Sequence, residues 1–429
     1  MYIRRASIKN IRTIKEFTLV FEGAETAGWH VILGANGSGK SSVVRSIALA
    51  LAGPKEAAAL RQNWNTWQRN GSSHGRVEME IEAGPKDIVT GKGRGYAMIE
   101  YALEFRPIES TIGGPRVELV AHKDGKTKAE RSVWGTNSGW FSASFGPFRR
   151  FSGGDQAFER LYFTNPRLAC HLTAFGEDVA LTEGLRWLRD LRVQQLESSP
   201  DSGRLLDKLV DFLNASDLLP HGAKITAVRA EEVLLEDANG FSVGVEQMSD
   251  GYRSVLSMIF EILRQMTKSY GSDNVRGALD VESTTVKLPG VVVIDEIDAH
   301  LHPTWQRDIG PWFTKCFPEV QFIVTTHSPI ICRSAKSVWY LPEPGTEEKS
   351  HRVEGVALQR LIHGSILDAY GTEFFGRDIA RSDDSKDLLA ELAILNRKAL
   401  SSKLSDDERT RMQKLRAMLP TDATDTSTE

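Results

Sequence analysis

The stretch Gly34-Ala35-Asn36-Gly37-Ser38-Gly39-Lys40-Ser41 places glycines ahead of a lysine and a hydroxyl at the spacing of a loop that wraps phosphate. With no side chains at Gly34, Gly37 and Gly39, the backbone N–H groups around Asn36 can turn inward, and a helix starting there adds its partial positive charge. Lys40 then reaches the β and γ phosphates of a nucleoside triphosphate. The Ser41 hydroxyl takes a place on Mg²⁺, and Ser42 continues the nucleotide-binding loop into the helix. A second pair, Asp295-Glu296, supplies adjacent carboxylates: Asp295 suits Mg²⁺ through its water shell, and Glu296 suits orienting and deprotonating an attacking water. A third group, His327, lies where it can sense a γ-phosphate through a hydrogen bond. Taken singly, these are a glycine-rich turn, an acidic surface turn and a structural histidine; their order in one chain favours a nucleotide site.

The elements that must position these groups are legible as periodic patterns. Trp29–Leu33 reads as a buried strand before the loop and Ser42–Ala50 as a helix after it. Val291–Ile294 ends in the Asp-Glu pair, and Gln321–Thr326 ends at His327. Tyr2–Ile8 and Phe17–Phe21 alternate as a hairpin, and Arg76–Glu82, Tyr96–Phe105 and Val117–Val120 predict an antiparallel β lobe over 74–135. The pattern turns helical from Gly153 to Leu213, returns to short strands at Ile225–Val228, Glu232–Leu235 and Phe241–Val243, and gives a helix over Ser254–Met266. Charged helices are expected after Ser382, followed by a disordered tail from Pro420.

With 429 residues, 41% of them hydrophobic, the chain has material for two or three packed lobes. No apolar run approaches the ~20 residues of a membrane span, and Met1-Tyr2-Ile3-Arg4-Arg5 has no secretory apolar stretch, so a cytoplasmic protein is expected. Cys170, Cys316 and Cys332 are scattered and read as buried free thiols. A net charge of −4 does not advertise wholesale nucleic-acid binding. It leaves a local basic stripe open, with Arg4, Arg5, Lys9, Arg12, Lys15, Arg149 and Arg150 as contributors, against the plainer reading of a solvated surface.

In motif order the chain resembles an ABC-type ATPase head of the SMC, RecF and OLD group. The implied fold class is α/β: an ABC-type P-loop ATPase head with an antiparallel β lobe and an inserted helical lid lobe. The implied divisions are 1–150, an N-terminal ATPase half with the phosphate loop and β lobe; 151–220, the helical insertion; 221–345, the C-terminal ATPase half; and 346–429, a helical extension. In such heads a signature motif contacts ATP held by the opposite protomer. Gln247–Ser254, reading QMSDGYRS, is similar to the OLD-like form and implies that role for Ser249, Asp250, Gly251 and Arg253. Phe151–Gln156 looks like the transporter version, but it lies far ahead of the Asp-Glu strand and follows Phe145–Arg150, which resembles the YGPxR stretch of OLD-like lids. Asp298-Ala299-His300-Leu301-His302-Pro303 resembles a dimer-contact loop, implying Asp298, His300 and His302 at an interface; an HxH metal pair is the lesser reading. Gln62 and Gln68 both stand as candidates for the Mg²⁺-sensing glutamine.

The fullest resemblance is to stand-alone ATPases of bacterial anti-phage systems of the Septu, retron and PARIS types. It implies hydrolysis of ATP with Mg²⁺ by a head-to-head homodimer, with higher oligomers open. That assembly would control a separate effector, an HNH nuclease or a TOPRIM toxin. No long coiled coil separates Lys40 from Ser249, and the carboxylates of a TOPRIM nuclease are not evident after His327. The alternative is a RecF/SMC-like DNA-repair ATPase that clamps DNA in an ATP-dependent dimer, with nucleic acid as partner. A transporter subunit is a third class, disfavoured by the signature and by the DAHLHP loop.

Overall fold

The computed structural model describes residues 1–87, 96–108, 116–135, 139–149, 151, 155, 158, 160–176, 179–197, 200–216, 219, 222–237, 239–375, 383–401 and 404–419. Alternating apolar residues near the N-terminus give β1 (Tyr2–Ile11) and β2 (Ile14–Val20), paired antiparallel as the sequence pattern predicts. β3 (Gly28–Leu33) belongs to another sheet. The strands of 74–135 are β4 (Gly75–Glu82), β5 (Met98–Ile108) and β6 (Arg116–Ala121). They form the expected antiparallel sheet together with the N-terminal hairpin, because β4 pairs with β1 and the order runs β2-β1-β4-β5-β6. Its inner face, including Ile8, Val77, Ile81, Leu103 and Phe105, joins one core with the helix Lys40–Ala52.

The second sheet carries the candidate site residues. β3, β13 (Gly290–Ile294) and β14 (Val320–Thr326) are buried at every position, as apolar runs with no polar face require. With β7 (Ser142–Phe145), β15 (Ser337–Tyr340) and β16 (His351–Arg352) the order is β16-β15-β3-β14-β13-β7. β3, β14, β13 and β7 run parallel to one another, so their carboxyl ends share one edge. Gln321 ties the two sheets together: its buried carboxamide accepts from the Ile3 N–H at 2.8 Å and donates to the Ile3 carbonyl at 3.0 Å. Those bonds satisfy the Ile3 backbone where the β1–β4 register shifts.

The helices Thr182–Leu196 and Pro200–Ala215 pack on each other, and the first also lies against a longer helix, Asp250–Tyr270. The last begins four residues earlier than its apolar periodicity suggests, because its first turn is polar. β8 (Lys224–Val228), β9 (Val233–Glu236) and β10 (Ser242–Gly244) form a small antiparallel sheet before it, and β11 (Leu279–Asp280) and β12 (Thr285–Val286) a two-stranded one after it. This compact unit runs from Met1 to His363, past the division drawn at 345; a second comprises Gly364–Glu429. In the second unit the charged helices are Asp383–Ser401 and Asp406–Met418, packed through Leu392, Leu395, Met412 and Leu415. The tail from Pro420 lies outside the described residues.

Two buried histidines brace the parallel sheet. His30 in β3 bonds Ser337 Oγ at 2.7 Å and the Thr26 carbonyl at 3.0 Å, while His171 bonds Ser142 and Ser144 of β7 at 3.2 and 2.7 Å. Burial pushes their pKa values down, to about 4 and about 3. Both therefore fold neutral, whereas an unfolded histidine takes up a proton below pH ~6.5. Their stabilisation is complete above that pH and is lost progressively as the pH falls towards their folded values. We expect the urea midpoint, followed by circular dichroism, to fall between pH 7 and pH 4.5, and to fall less in His171→Gln; an unchanged slope in that variant would remove His171 from this role.

Candidate nucleotide site

The glycine-rich loop connects the buried end of β3 to the helix Lys40–Ala52. Gly37 and Gly39 have φ of 80° and 105°, in the region where side chains are strained. At Gly39 a Cβ would also stand 2.9 Å from Thr13 Oγ1, so the tight approach needs glycine twice over. The Ser38 hydroxyl is buried in the loop without a protein partner. Lys40, 4% exposed, donates from Nζ to the carbonyls of Gly34 at 2.7 Å and Ala35 at 2.9 Å. Burial lowers its pKa, and the nearby carboxylates of Glu296, Asp295 and Asp298 oppose that shift. Asn36 is exposed at the loop tip, Ser41 is half-buried and Ser42 is buried at the start of the helix.

Parallel register brings the other groups to the same edge. Leu33 of β3 pairs with Thr326 of β14, and Val324 of β14 with Ile294 of β13, so Lys40, His327 and Asp295 follow adjacent strands. Two threonines organise the acids. Thr325 Oγ1 donates to Asp295 Oδ1 at 2.6 Å and accepts from the Glu296 N–H at 2.8 Å. Thr326 Oγ1 donates to Asp298 Oδ1, and the other Asp298 oxygen lies 3.2 Å from His327 Nδ1. Glu296 has φ 45°, a left-handed conformation that persists only where its surroundings impose it.

Asp298 is 5% exposed and turns inward to His327, whereas His300 is exposed. His302 caps the helix Pro303–Cys316, its Nδ1 bonding Thr304 Oγ1 at 2.9 Å. Ser249 is the N-cap of Asp250–Tyr270 and is exposed, with no bond from its hydroxyl into its own helix. Asp250 and Arg253 pair with each other across the first turn. A Cβ at Gly251 would stand 3.0 Å from the His300 carbonyl, so this glycine lets the signature and the following loop touch.

Arg149 corrects one expectation. It is no part of a basic stripe but is 4% exposed, with its guanidinium bonded to Ser254 Oγ and to the carbonyls of Gly146, Asp295, Glu296 and Ile297. Burial lowers its pKa to about 10, against the pull of Asp295, Asp298 and Glu296, so it is a cation at neutral pH. Much of the remaining stripe is occupied within the chain: Arg4 pairs with Glu82, Arg5 with Glu80 and Lys9 with Glu16, while Arg12 lies 4.2 Å over the Trp67 ring. Lys15 is exposed, and Arg150 lies outside the described residues, as do Ser152–Gly154 and Gln156 of the rival signature. Gln68 donates to the Ser72 carbonyl in a turn; Gln62 is half-buried. Sequence reasoning missed the two threonines and the buried place of Arg149, although all three sit inside motifs it had singled out.

Comparison with known proteins gives this arrangement a family context. A protein-family model described as "AAA domain" matches residues 5–138, and one described as "AAA domain, putative AbiEii toxin, Type IV TA system" matches residues 124–333. Between them the two models match residues 5–333. Beyond these profiles, the chain is 38% identical over 125 residues to the retron Ec83 probable ATPase of Escherichia coli, a match covering 29% of this chain and 21% of that protein. It is 24% identical over 335 residues to the Septu protein PtuA of Bacillus mycoides strain KBAB4, covering 77% of this chain and 39% of the relative. The chain therefore spans well under half the length of these relatives. Among solved structures it is similar to an Smc head domain with an extended coiled coil, bound to the C-terminal domain of ScpA, from Pyrococcus furiosus. That likeness has a TM-score of 0.47 and 16% identity, over 82% of this chain and 96% of the other. Among the described residues, no helix is long and apolar enough to cross a membrane.

If the glycine-rich loop holds phosphate as its geometry indicates, Lys40→Ala should abolish binding of a fluorescent ATP analogue while leaving thermal unfolding nearly unchanged. Retained tight binding would sink the phosphate-loop assignment.

Proposed function

We propose that this chain is an ATP-binding and ATP-hydrolysing switch of a bacterial anti-phage defence complex, assembling in the cytoplasm with a separate nuclease or toxin effector that it controls. The observation that carries the ATP chemistry is the convergence of Lys40, the Asp295-Glu296 pair and His327 on one edge of three adjacent strands. The unpartnered Ser38 hydroxyl and the positive-φ glycines fit a phosphate group in the loop. The hydroxyl of Ser41 and the carboxylate of Asp295 are hard oxygen donors that would hold Mg²⁺, which would supply positive charge to neutralise the phosphates.

The chain's own residues then divide the work. Lys40 draws charge from the β and γ phosphates, Glu296 takes a proton from the attacking water, and His327, steadied by Asp298, donates towards the γ-phosphate. One phosphate loop and one signature per chain favour a head-to-head homodimer, in which the exposed Ser249 and the N–H groups at the start of Asp250–Tyr270 meet the ATP of the other copy. The defence context rests on similarity to proteins named for Septu and retron systems, an argument by association.

Glu296→Gln is expected to bind ATP normally, to slow phosphate release by about 10²–10⁴-fold, and to accumulate as an ATP-bound dimer in sedimentation velocity. Normal turnover in this variant would take Glu296 out of its assigned role. A wild-type chain that co-purifies with an HNH or TOPRIM protein encoded beside it would support effector control; ATP-dependent, salt-sensitive DNA binding without such a partner would favour the repair reading.

A further inference from the structure

Arg149 leaves β7 three residues after a buried glycine and places its guanidinium beneath the turn that follows β13. Besides the Gly146 carbonyl of its own loop, its contacts fall on two elements. Nη1 donates to the Asp295 carbonyl at 2.8 Å and Nη2 to the Glu296 carbonyl at 3.0 Å, while Nε donates to Ser254 Oγ at 2.8 Å in the signature helix. Ser254 is itself 1% exposed, so this junction is sealed from water. The guanidinium is a rigid planar fork whose donors reach several acceptors at once; a lysine ammonium at the same place is a point with three donors.

The fork matters because of what it holds. Glu296 is the residue with φ 45°, and its peptide groups are pinned on both sides, the N–H by Thr325 and the carbonyl by Arg149. A strained backbone directs its side chain only as well as its anchors hold it. Among the carboxylates that oppose the burial-lowered pKa of Lys40, Glu296 acts most strongly.

We propose that Arg149 is a positioning residue for ATP hydrolysis: it fixes the Glu296 turn in its left-handed form and joins that turn to the helix that presents Ser249. This rests on the ATPase reading given above. Through Ser254, the turn beside the chain's own nucleotide and the helix start facing a second copy share one buried support.

The test measures ATP affinity, KM, kcat and thermal unfolding for wild type, Arg149→Lys, Arg149→Met, Glu296→Gln and the double variant Arg149→Met/Glu296→Gln. Both Arg149 variants should lose about 10²-fold in kcat, as a small misplacement of a reacting group does. Their ATP affinity and KM should stay within about threefold of wild type, since only the Glu296 turn has been released. In the Glu296→Gln background, Arg149→Met should slow the residual rate by less than about threefold, because the group it positions is already gone. Wild-type kcat in Arg149→Lys, or a further hundredfold loss in the double variant, would overturn the proposal. If Arg149→Met does not fold, Arg149→Lys and Ser254→Ala decide: Ser254→Ala should lower kcat at unchanged KM, and wild-type kcat there would break the link to the signature helix. A wild-type chain that binds ATP without hydrolysing it overturns the underlying ATPase reading instead.

Discussion

Four ionisable side chains, Lys40, Arg149, Asp295 and Asp298, are buried together at the carboxyl ends of adjacent parallel strands, and much of the surrounding fold answers to that fact. Removing an isolated ion from water costs several kcal/mol, so a lone charge there would be expelled or neutralised. Here opposite charges share the space, and neutral dipoles satisfy much of what remains. Lys40 and Arg149 spend their N–H groups on backbone carbonyls, whereas Asp295 and Asp298 take hydroxyl protons from Thr325 and Thr326.

The sheet order follows from the same requirement. β14 lies between β3 and β13, and its last two residues are threonines that reach the acids after β13, while β3 delivers the lysine loop on the other side. A side chain without a hydroxyl at Thr325 would leave both Asp295 and the Glu296 N–H short of a partner. The polar character of an otherwise apolar strand is therefore confined to its final residues and to Gln321 near its start, where the junction with Ile3 uses both ends of the amide.

The candidate groups that sit within a few consecutive residues are readable from the sequence. A phosphate loop, an apolar run ending in two acids and a strand ending in histidine each announce themselves through local spacing. What escaped reading depends on residues far apart in the chain. Alternation in Arg76–Glu82 announces a strand but not its neighbour, and β4 pairs with β1 across about seventy residues. Arg149 looks like any arginine after a glycine-proline turn until β7 is placed beside β13, when its carbonyl partners come within reach. Asp298 reads as part of a dimer-contact loop because the burial imposed by Thr326 and His327 comes from another strand.

The three cysteines, Cys170, Cys316 and Cys332, are all buried, and burial raises the Cys332 thiol well above its usual range. Thiolates are what react with maleimides and disulfide reagents, and thiols closed off from solvent offer them little access. The native chain is thus a chemically quiet background. A single cysteine placed at an exposed position such as His300 would be the preferred handle for cross-linking or a spectroscopic label, with no need to remove the cysteines already present.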